Sequence, residues 1–462
     1  MKAVVLAGGK GTRLRPLTYT KPKPLLPLAG EPAIARLIRK LAQEGVDEVV
    51  LTTNYFANRL RTVLGDGSKY GLPIHHVEEK SPLGTAGSVK NSESLVDETF
   101  VVVQCDNQFE FHLNDVVQFH RKLGALATMA LVQVDNPSEY GIVEVSDGRV
   151  TRFLEKPKPE ECFSNLVNAG LYVLEPEVLE LVPQGTAFDF SRNLFPLMLQ
   201  SKMALAGSRA SGFWVDIGDP KSYLKASVWA LDQLEPRQAK AEDKIASQSD
   251  TSISESATLR GPVYLGRNVR IHKDAAVGPY VCVGDGSEIL TGARIAFSVV
   301  YENTRIGAEA TLDTCVVAEN CRIGNRTLLE RHAVVGAGAD LGETSHVSAQ
   351  SRIGPWTFVK PRSTVEGSLA SLEKWEERIS GLLERSDVDL QLTREEAAVC
   401  GALCELGEAD TKTLSQSVGI PPSVVQSVLL SLQKKQIASP LGKAPLMFAL
   451  VPDKTRSASQ WV

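Results

Sequence analysis

From residue 265 onward an apolar side chain returns at every sixth position. Leu265, Ile271, Val277, Val283, Ile289 and Ile295 lead, after one five-residue step, to Val300, Ile306 and Leu312. A second five-residue step leads to Val317, Ile323, Leu329, Val335, Leu341, Val347, Ile353, Val359 and Val365. A period of six kept over about 100 residues is the signature of a β-solenoid, whose coils bury a continuous core only by stacking. The apolar residue of each hexad is expected to point into the coil. Glycine follows it at 266, 278, 284, 307, 324, 336, 342 and 354, where it is expected to permit a tight corner.

The pattern resembles the left-handed parallel β-helix of hexapeptide-repeat proteins and sets residues 251–365 apart from both flanks. On the N-terminal side, residues 1–235 alternate short apolar runs with amphipathic stretches. "AVVLA" (3–7), "EVVLTT" (48–53), "FVVVQCD" (100–106) and "ATMALVQV" (127–134) read as buried strands, and "AIARLIRKLAQEG" (33–45) as a helix closed by glycine. Such alternation predicts an α/β fold, a Rossmann-like, mostly parallel sheet with helices on both faces. Ligands then sit at the carboxyl ends of the strands. Residues 236–250 are polar and read as a linker or docking helix, and residues 366–388 as a charged connecting helix. From 389 the register changes to helix, helix-turn-helix and a short hairpin, which resembles a small α+β winged helix-turn-helix domain.

Bulk properties narrow the function classes. The chain has 462 residues and a net charge of −5, so no global basic field points to nucleic acid. Seven cysteines are scattered without a paired zinc spacing, which fits a reducing cytoplasm. The chain opens directly on a buried-strand pattern rather than a signal peptide, and no apolar run approaches a membrane span. A cytoplasmic protein is expected.

The most informative stretch is "LAGGKGTRLRPLTYTKPKPLLPLAG" (6–30). It follows a strand but lacks the Gly-Lys-Ser/Thr of a P-loop and the Gly-x-Gly-x-x-Gly of a dinucleotide fold. Gly8, Gly9, Gly11 and Thr12 offer backbone N–H groups around one point, and Arg13 adds a guanidinium, the donors a polyphosphate needs. Lys23 is stiffened by flanking prolines.

This stretch resembles the signature of sugar-1-phosphate nucleotidyltransferases. Further matches follow in order: "EEKSPLGTAGSV" (78–89), "CDN" (105–107), "YGIVEV" (140–145), "FLEKP" (153–157), "NAGLYVLEPEVL" (168–179) and "GFWVDIGDP" (212–220). The texture of the last motifs is most similar to mannose-1-phosphate guanylyltransferases. The resemblance implies that a sugar-1-phosphate oxygen attacks the α-phosphate of a nucleoside triphosphate and pyrophosphate leaves. Such transfer needs positioning and charge neutralisation rather than a protein nucleophile.

The resemblance also implies site roles. Arg13 would grip the β- and γ-phosphates, and Lys23 would lie at the reacting centre. Asp106 and Asp216 match the family's Mg²⁺ ligands. Leu6, Ala7, Gly8, Gly9, Gly11, Thr12, Glu79, Gly84 and Thr85 would bind the nucleotide. A carboxylate at Glu79 favours guanine, whose edge offers two N–H donors; the alternative is a solvated loop charge. Gly141, Glu155, Lys156 and Asn168 would bind the sugar phosphate, while Tyr140 and Trp214 read as packing residues. The family usually has glycine where this chain has Cys105, a departure that bears on the metal site.

The favoured pair is GTP and mannose 1-phosphate. Glucose 1-phosphate with UTP or dTTP is the near alternative, and a catalytically inactive sugar-nucleotide sensor acting through the winged helix is another. The β-helix is expected to mediate homo-oligomerisation; His272, His332 and His346 would be the candidate bases if it were an acyltransferase. Residues 389–462 carry seven basic and seven acidic residues, so a protein partner is favoured over DNA.

Overall fold

The computed structural model describes residues 1–234, 244–369, 396, 399–400, 402–403, 408–418, 421–434, 438–440 and 447–450. The chain divides into two compact units. One comprises Met1–Lys10, Pro22–Leu26 and Glu31–Ile217; the other comprises Gly11–Lys21, Pro27–Gly30 and the chain from Gly218 onward.

The first unit is built on a nine-stranded sheet. Its strands are β1 (Lys2–Leu6), β2 (Glu48–Thr53), β3 (Ile74–Glu78), β4 (Phe100–Gln104), β5 (Ala127–Gln133), β6 (Gly141–Ser146), β7 (Arg149–Glu155), β8 (Leu166–Leu174) and β9 (Leu205–Arg209). Their spatial order is β3-β2-β1-β4-β8-β5-β9-β7-β6. Alternate residues of β1 serve different cores: Ala3 and Val5 pack on one face, Val4 and Leu6 on the other. Helix α1 (Ala33–Gln43) buries Ile34, Leu37, Ile38 and Leu41, the spacing of one helical face. Each such side chain contributes about 1.5–3 kcal/mol when fully buried.

The sheet is mixed rather than mostly parallel. β3, β2, β1 and β4 run parallel, as do β5 and β9. β8 runs antiparallel to β4 and β5, and β7 to β6 and β9. Local chemistry forces the β6–β7 reversal, because Asp147 and Gly148 both have positive φ (51° and 80°). That Asp-Gly pair makes a two-residue turn whose twist matches an antiparallel hairpin. Strand β3, "IHHVE", has no clear apolar signature because it lies at the sheet edge with one residue fully buried.

In the second unit three parallel sheets are visited in rotation by successive strands, from Ile245–Ser247 to Ser368–Leu369. Facing residues are 18 apart, as in Arg270 and Glu288. They are 17 apart where a five-residue step intervenes, as in Val283 and Val300. Every hexad residue from Leu265 to Val365 is buried in one apolar core. The first strand begins inside the stretch that reads as a linker. The connecting helix expected at 366–388 lies outside the described residues except for its first four, which include the last strand.

The role expected of the hexad glycines needs correction. The left-handed corners fall two residues later, at Asn268, Gly286, Glu309, Arg326, Gly338 and Thr344. Most of the glycines are required instead by the approach of the next coil, whereas Gly278 itself has a positive φ of 110°. A Cβ on Gly324 would lie 2.5 Å from the main-chain nitrogen of Glu343.

Further along the second unit, helices Thr411–Val418 and Pro422–Lys434 accompany an antiparallel sheet of Glu408–Asp410, Met447–Leu450 and Ala438–Pro440. Leu414, Val425, Leu429, Leu432 and Phe448 share its core. No helix among the described residues is long and apolar enough to cross a membrane.

Backbone-to-backbone contact leaves no flexible side chain to yield at Gly324. Gly324→Ala is therefore expected to destabilise the solenoid by about 2 kcal/mol. Chemical denaturation checks this, and an unchanged midpoint would show that the coils can spread.

Candidate active site

The chain passes from β1 outward to β2 and β3, then returns to β4 on the other side of β1. That reversal opens a crevice at the carboxyl ends of β1 and β4. Leu6 is the register partner of Gln104, and the Cys105 amide donates to the Leu6 carbonyl at 3.1 Å. The glycine loop that begins at Ala7 and Gly8 therefore starts beside Asp106. Asp216 reaches the same place by a second pairing. Short strands Asn107–Phe109 and Trp214–Asp216 run antiparallel with Asp216 opposite Asn107. The Ile217 amide donates to the Asp106 carbonyl at 3.1 Å.

Lys23 completes this junction from a one-turn helix flanked by Pro22 and Pro24. Its Nζ donates to Asp106 Oδ2 and lies 3.7 Å from Asp216 Oδ1. Burial opposes the charge on Lys23, but Asp106 and Asp216 outweigh it and hold the ammonium above the ordinary lysine range. Lys23 is thus a fixed positive charge at neutral pH and not a base. Burial, reinforced by Asp106, pushes the Cys105 thiol up. It stays protonated and is no nucleophile. Cys105 is not among the residues with positive φ, so a side chain fits where the family usually has glycine.

The junction fits a divalent cation. Asp106 Oδ1 is buried without a hydrogen-bond partner among the described residues. Among those residues no group of three or more metal-binding side chains occurs. Mg²⁺ does not need one, because it binds through one or two carboxylates and completes its shell with water and substrate phosphates.

Glu79 is a buried carboxylate rather than a solvated loop charge. The Leu83 amide donates to Oε2 at 3.3 Å, while Oε1 is buried without a hydrogen-bond partner among the described residues. Burial raises the Glu79 pKa against the opposing influence of Ser88 and the Leu83 amide nearby. A Cβ on Gly8 would lie 3.9 Å from Glu79 Oε1, so the glycine loop and this carboxylate border one space. Gly9 is exposed next to it. Gly84 opens helix α3 (Gly84–Lys90), where a Cβ would approach the Phe188 carbonyl to 2.8 Å. Thr85 is engaged locally: its amide and hydroxyl donate to Asp189 Oδ1, and the Phe190 amide donates to its hydroxyl.

Gly141, Glu155 and Asn168 converge through the sheet. Glu155 is the register partner of Gly141, and a Cβ at 141 would lie 2.7 Å from Glu155 Oε2. Asn168 follows Val167, the partner of Ile142. Asn168 donates to the Tyr172 hydroxyl at 2.9 Å and accepts from the Gly170 amide. Lys156 is exposed, with φ +47° and its amide bound to the Tyr140 carbonyl. The Asn107 amide and the Trp214 indole both donate to the Ala169 carbonyl, at 2.6 and 3.1 Å. That shared carbonyl links the carboxylate junction to the Asn168 strand. Tyr140 and Trp214 pack edge to face at 5.4 Å, as expected of packing residues.

Gly11, Thr12 and Arg13 belong to the second unit. Arg13 is exposed there, with Nη2 so near Gly218 that a Cβ on the glycine would stand 2.8 Å away. Of the solenoid histidines, His272 pairs with Glu288 at 2.9 Å and His346 with Glu330 at 2.8 Å. His332 occupies a left-handed corner.

Motif reading passed over two residues of the first unit. Asn54 fixes the main chain of Glu79 through a 2.9 Å bond to its carbonyl. Tyr172, fully buried with its pKa raised by burial, orders Asn168. Asn54 lies in no quoted motif, and Tyr172, though inside "NAGLYVLEPEVL", reads there as an ordinary strand residue. Tyr172 does stand four positions after Asn168, but on a strand.

Comparison with known proteins identifies the family. Residues 2–233 match the nucleotidyl transferase family, and residues 259–356 match the GMPPB C-terminal domain. The chain is 33% identical over 355 residues to mannose-1-phosphate guanylyltransferase 1 of Arabidopsis thaliana, covering 75% of this chain and 92% of that one. It is 34% identical over 320 residues to mannose-1-phosphate guanylyltransferase of Mycobacterium tuberculosis, covering 67% and 82%. It is 32% identical over 333 residues to UTP–glucose-1-phosphate uridylyltransferase of Synechocystis, covering 68% and 86%. By the match over residues 2–233 and these identities, this chain belongs to the sugar-1-phosphate nucleotidyltransferase family.

Proposed function

We propose that the chain transfers a guanylyl group from GTP to mannose 1-phosphate, giving GDP-mannose and pyrophosphate. The observation that carries the transfer is the junction of Lys23, Asp106 and Asp216 at the ends of β1 and β4. The choice of guanine is supported by Glu79, a buried carboxylate with an unsatisfied oxygen. Ionised, it can accept two N–H bonds from the guanine edge. Leu6, Ala7, Gly8 and Gly9 would line the rest of the nucleotide site.

A phosphate oxygen of the sugar phosphate bonds to the α-phosphorus. The bond from that phosphorus to the α–β bridging oxygen breaks, and pyrophosphate leaves with the electron pair. The attacking phosphate is already an anion, so no side chain need remove a proton. Lys23 offsets negative charge at the reacting centre, and Arg13 would hold the β- and γ-phosphates that leave. Asp106 and Asp216 would hold Mg²⁺, which when bound neutralises phosphate charge. Gly141, Glu155, Lys156 and Asn168 would orient the sugar phosphate, Glu155 by accepting hydroxyls and Lys156 through its charge.

Glucose 1-phosphate with UTP or dTTP is the second reading, favoured by the likeness to the Synechocystis uridylyltransferase. A purely sensory protein has no need for the assembled lysine and two carboxylates. We further propose residues 1–235 as the transferase domain and 251–365 as a left-handed β-helix that mediates self-association. Residues 366–388 would connect to a winged-helix domain, 389–462, that docks a protein. A cytoplasmic setting suits these substrates.

Pyrophosphate release across a matrix of nucleoside triphosphates and sugar 1-phosphates tests the assignment; no turnover with any pair would overturn it. Asp106→Ala and Asp216→Ala should each lower kcat by about 10³-fold or more while leaving the oligomer intact. Retained activity in both would remove the metal assignment.

Glu79→Gln should raise the KM for GTP about tenfold or more relative to UTP. It also has a stability signature. The folded chain raises the Glu79 pKa, so the ionised form costs stability above that pKa. The cost fades as pH falls to the unfolded carboxylate value of about 4. Glu79→Gln should therefore stabilise the substrate-free protein at pH 7 and lose that advantage near about pH 4, as thermal unfolding at the two pH values would show. Deletion of residues 389–462 should leave kcat unchanged, and a large loss would assign that segment to the active site.

A further inference from the structure

Outward-facing residues differ among the three solenoid sheets. In one sheet Arg270, Glu288, Arg305, Arg322 and Asp340 succeed one another, a solvated polar row. In another the row is Tyr264, Cys282, Val299, Val316 and Val334, all buried, and it ends at Arg352. An apolar row on the outside of a solenoid is stable only if covered. Within the same compact unit, segments 11–21 and 27–30 and helix α6 (Pro220–Asp232) lie against this side. The Tyr264 ring stands where a Cβ on Gly30 would fall, 2.1 Å away. Tyr223 of α6 meets Tyr301 edge to face at 6.5 Å and donates to the Pro27 carbonyl at 2.6 Å.

Two polar clamps hold the segment that carries Arg13. At one end Lys21 donates to Glu302 at 2.8 Å, lies 3.6 Å from Glu319, and sits over the Tyr301 ring. The Thr20 hydroxyl donates to Glu319 at 3.2 Å. At the other end Arg352 Nη1 donates to the carbonyl oxygens of Arg13, at 2.9 Å, and of Arg15. Between these carbonyls Leu14 is fully buried. Arg352 is half-buried, and burial lowers its pKa against the opposing charge of Asp219. A guanidinium in that setting, bound to main-chain carbonyls, fixes backbone geometry and leaves the charge of Arg13 unmatched by it.

We propose that Arg352 is a positioning residue for nucleotide binding. It fixes the main chain at Arg13 and Arg15, so that the Arg13 guanidinium is held in one pose for the terminal phosphates of a nucleoside triphosphate. This rests on the role proposed above for Arg13.

The full-length chain is compared as wild type, Arg352→Ala and Arg352→Lys by two measurements. The first is limited trypsin cleavage after Arg13 without substrate, read by peptide mass. The second is the KM for GTP and, separately, for mannose 1-phosphate. Arg352→Ala should speed cleavage about tenfold and raise the KM for GTP about tenfold, with the KM for mannose 1-phosphate within about twofold. Arg352→Lys, which can still donate to main-chain carbonyls, should recover most of both. Wild-type cleavage and GTP KM in Arg352→Ala would overturn the proposal, as would equal rises in both KM values. If wild type turns over no substrate pair, the proposed function fails, whereas the cleavage rates still decide the clamp: faster cutting in Arg352→Ala upholds it, and unchanged cutting overturns it.

Discussion

The parallel ladder between β1 and β4 is the constraint on which the catalytic unit depends. Because Leu6 is paired with Gln104, the residues that follow each strand must emerge side by side. One strand is followed by the glycine loop and the other by Asp106. A one-residue slip would turn every side chain of β1 to the opposite core, exchanging Val4 and Leu6 for Ala3 and Val5. Burial on both faces forbids that slip, and the same burial fixes the position of the site.

Charge compensation shapes the junction at those strand ends. A buried Asp106 beside a half-buried Asp216 would be costly alone, and Lys23 offsets the pair. The arrangement leaves Asp106 Oδ1 without a hydrogen-bond partner among the described residues. A buried acceptor of that kind is an unmet requirement that a cation can satisfy. Glu79 is buried in the same way, with Oε2 accepting from the Leu83 amide and Oε1 without a hydrogen-bond partner among the described residues. Both features are local strain on stability, and both lie where a charged or hydrogen-bonding substrate would relieve it.

Much of this was legible beforehand. The hexad residues from Leu265 to Val365 are buried without exception, because a six-residue period leaves few other ways to hide them. Lys23, Asp106 and Asp216, each singled out by a short motif, are brought together by the fold. The mixed direction of the sheet was missed although "SDG" announces the β6–β7 turn. Strand direction elsewhere is set by pairing partners far away in sequence, and β8 is antiparallel because of what lies on both sides of it. The purpose of the hexad glycines was also misread. Whether glycine is needed for its own φ or for a neighbour's closeness depends on the next coil, 17 or 18 residues on.

Sequence alone determined the alternation of strand and helix and the six-residue repeat, since both follow from local periodicity. Only the tertiary structure decided which carboxylate oxygen is left unsatisfied, which face of the solenoid is apolar and covered, and that Arg352 reaches the carbonyl of Arg13 across 339 positions of chain. Those facts depend on packing between residues remote in sequence. Burial, the absence of a hydrogen-bond partner and the closeness of two backbones are properties of a site and not of a residue type.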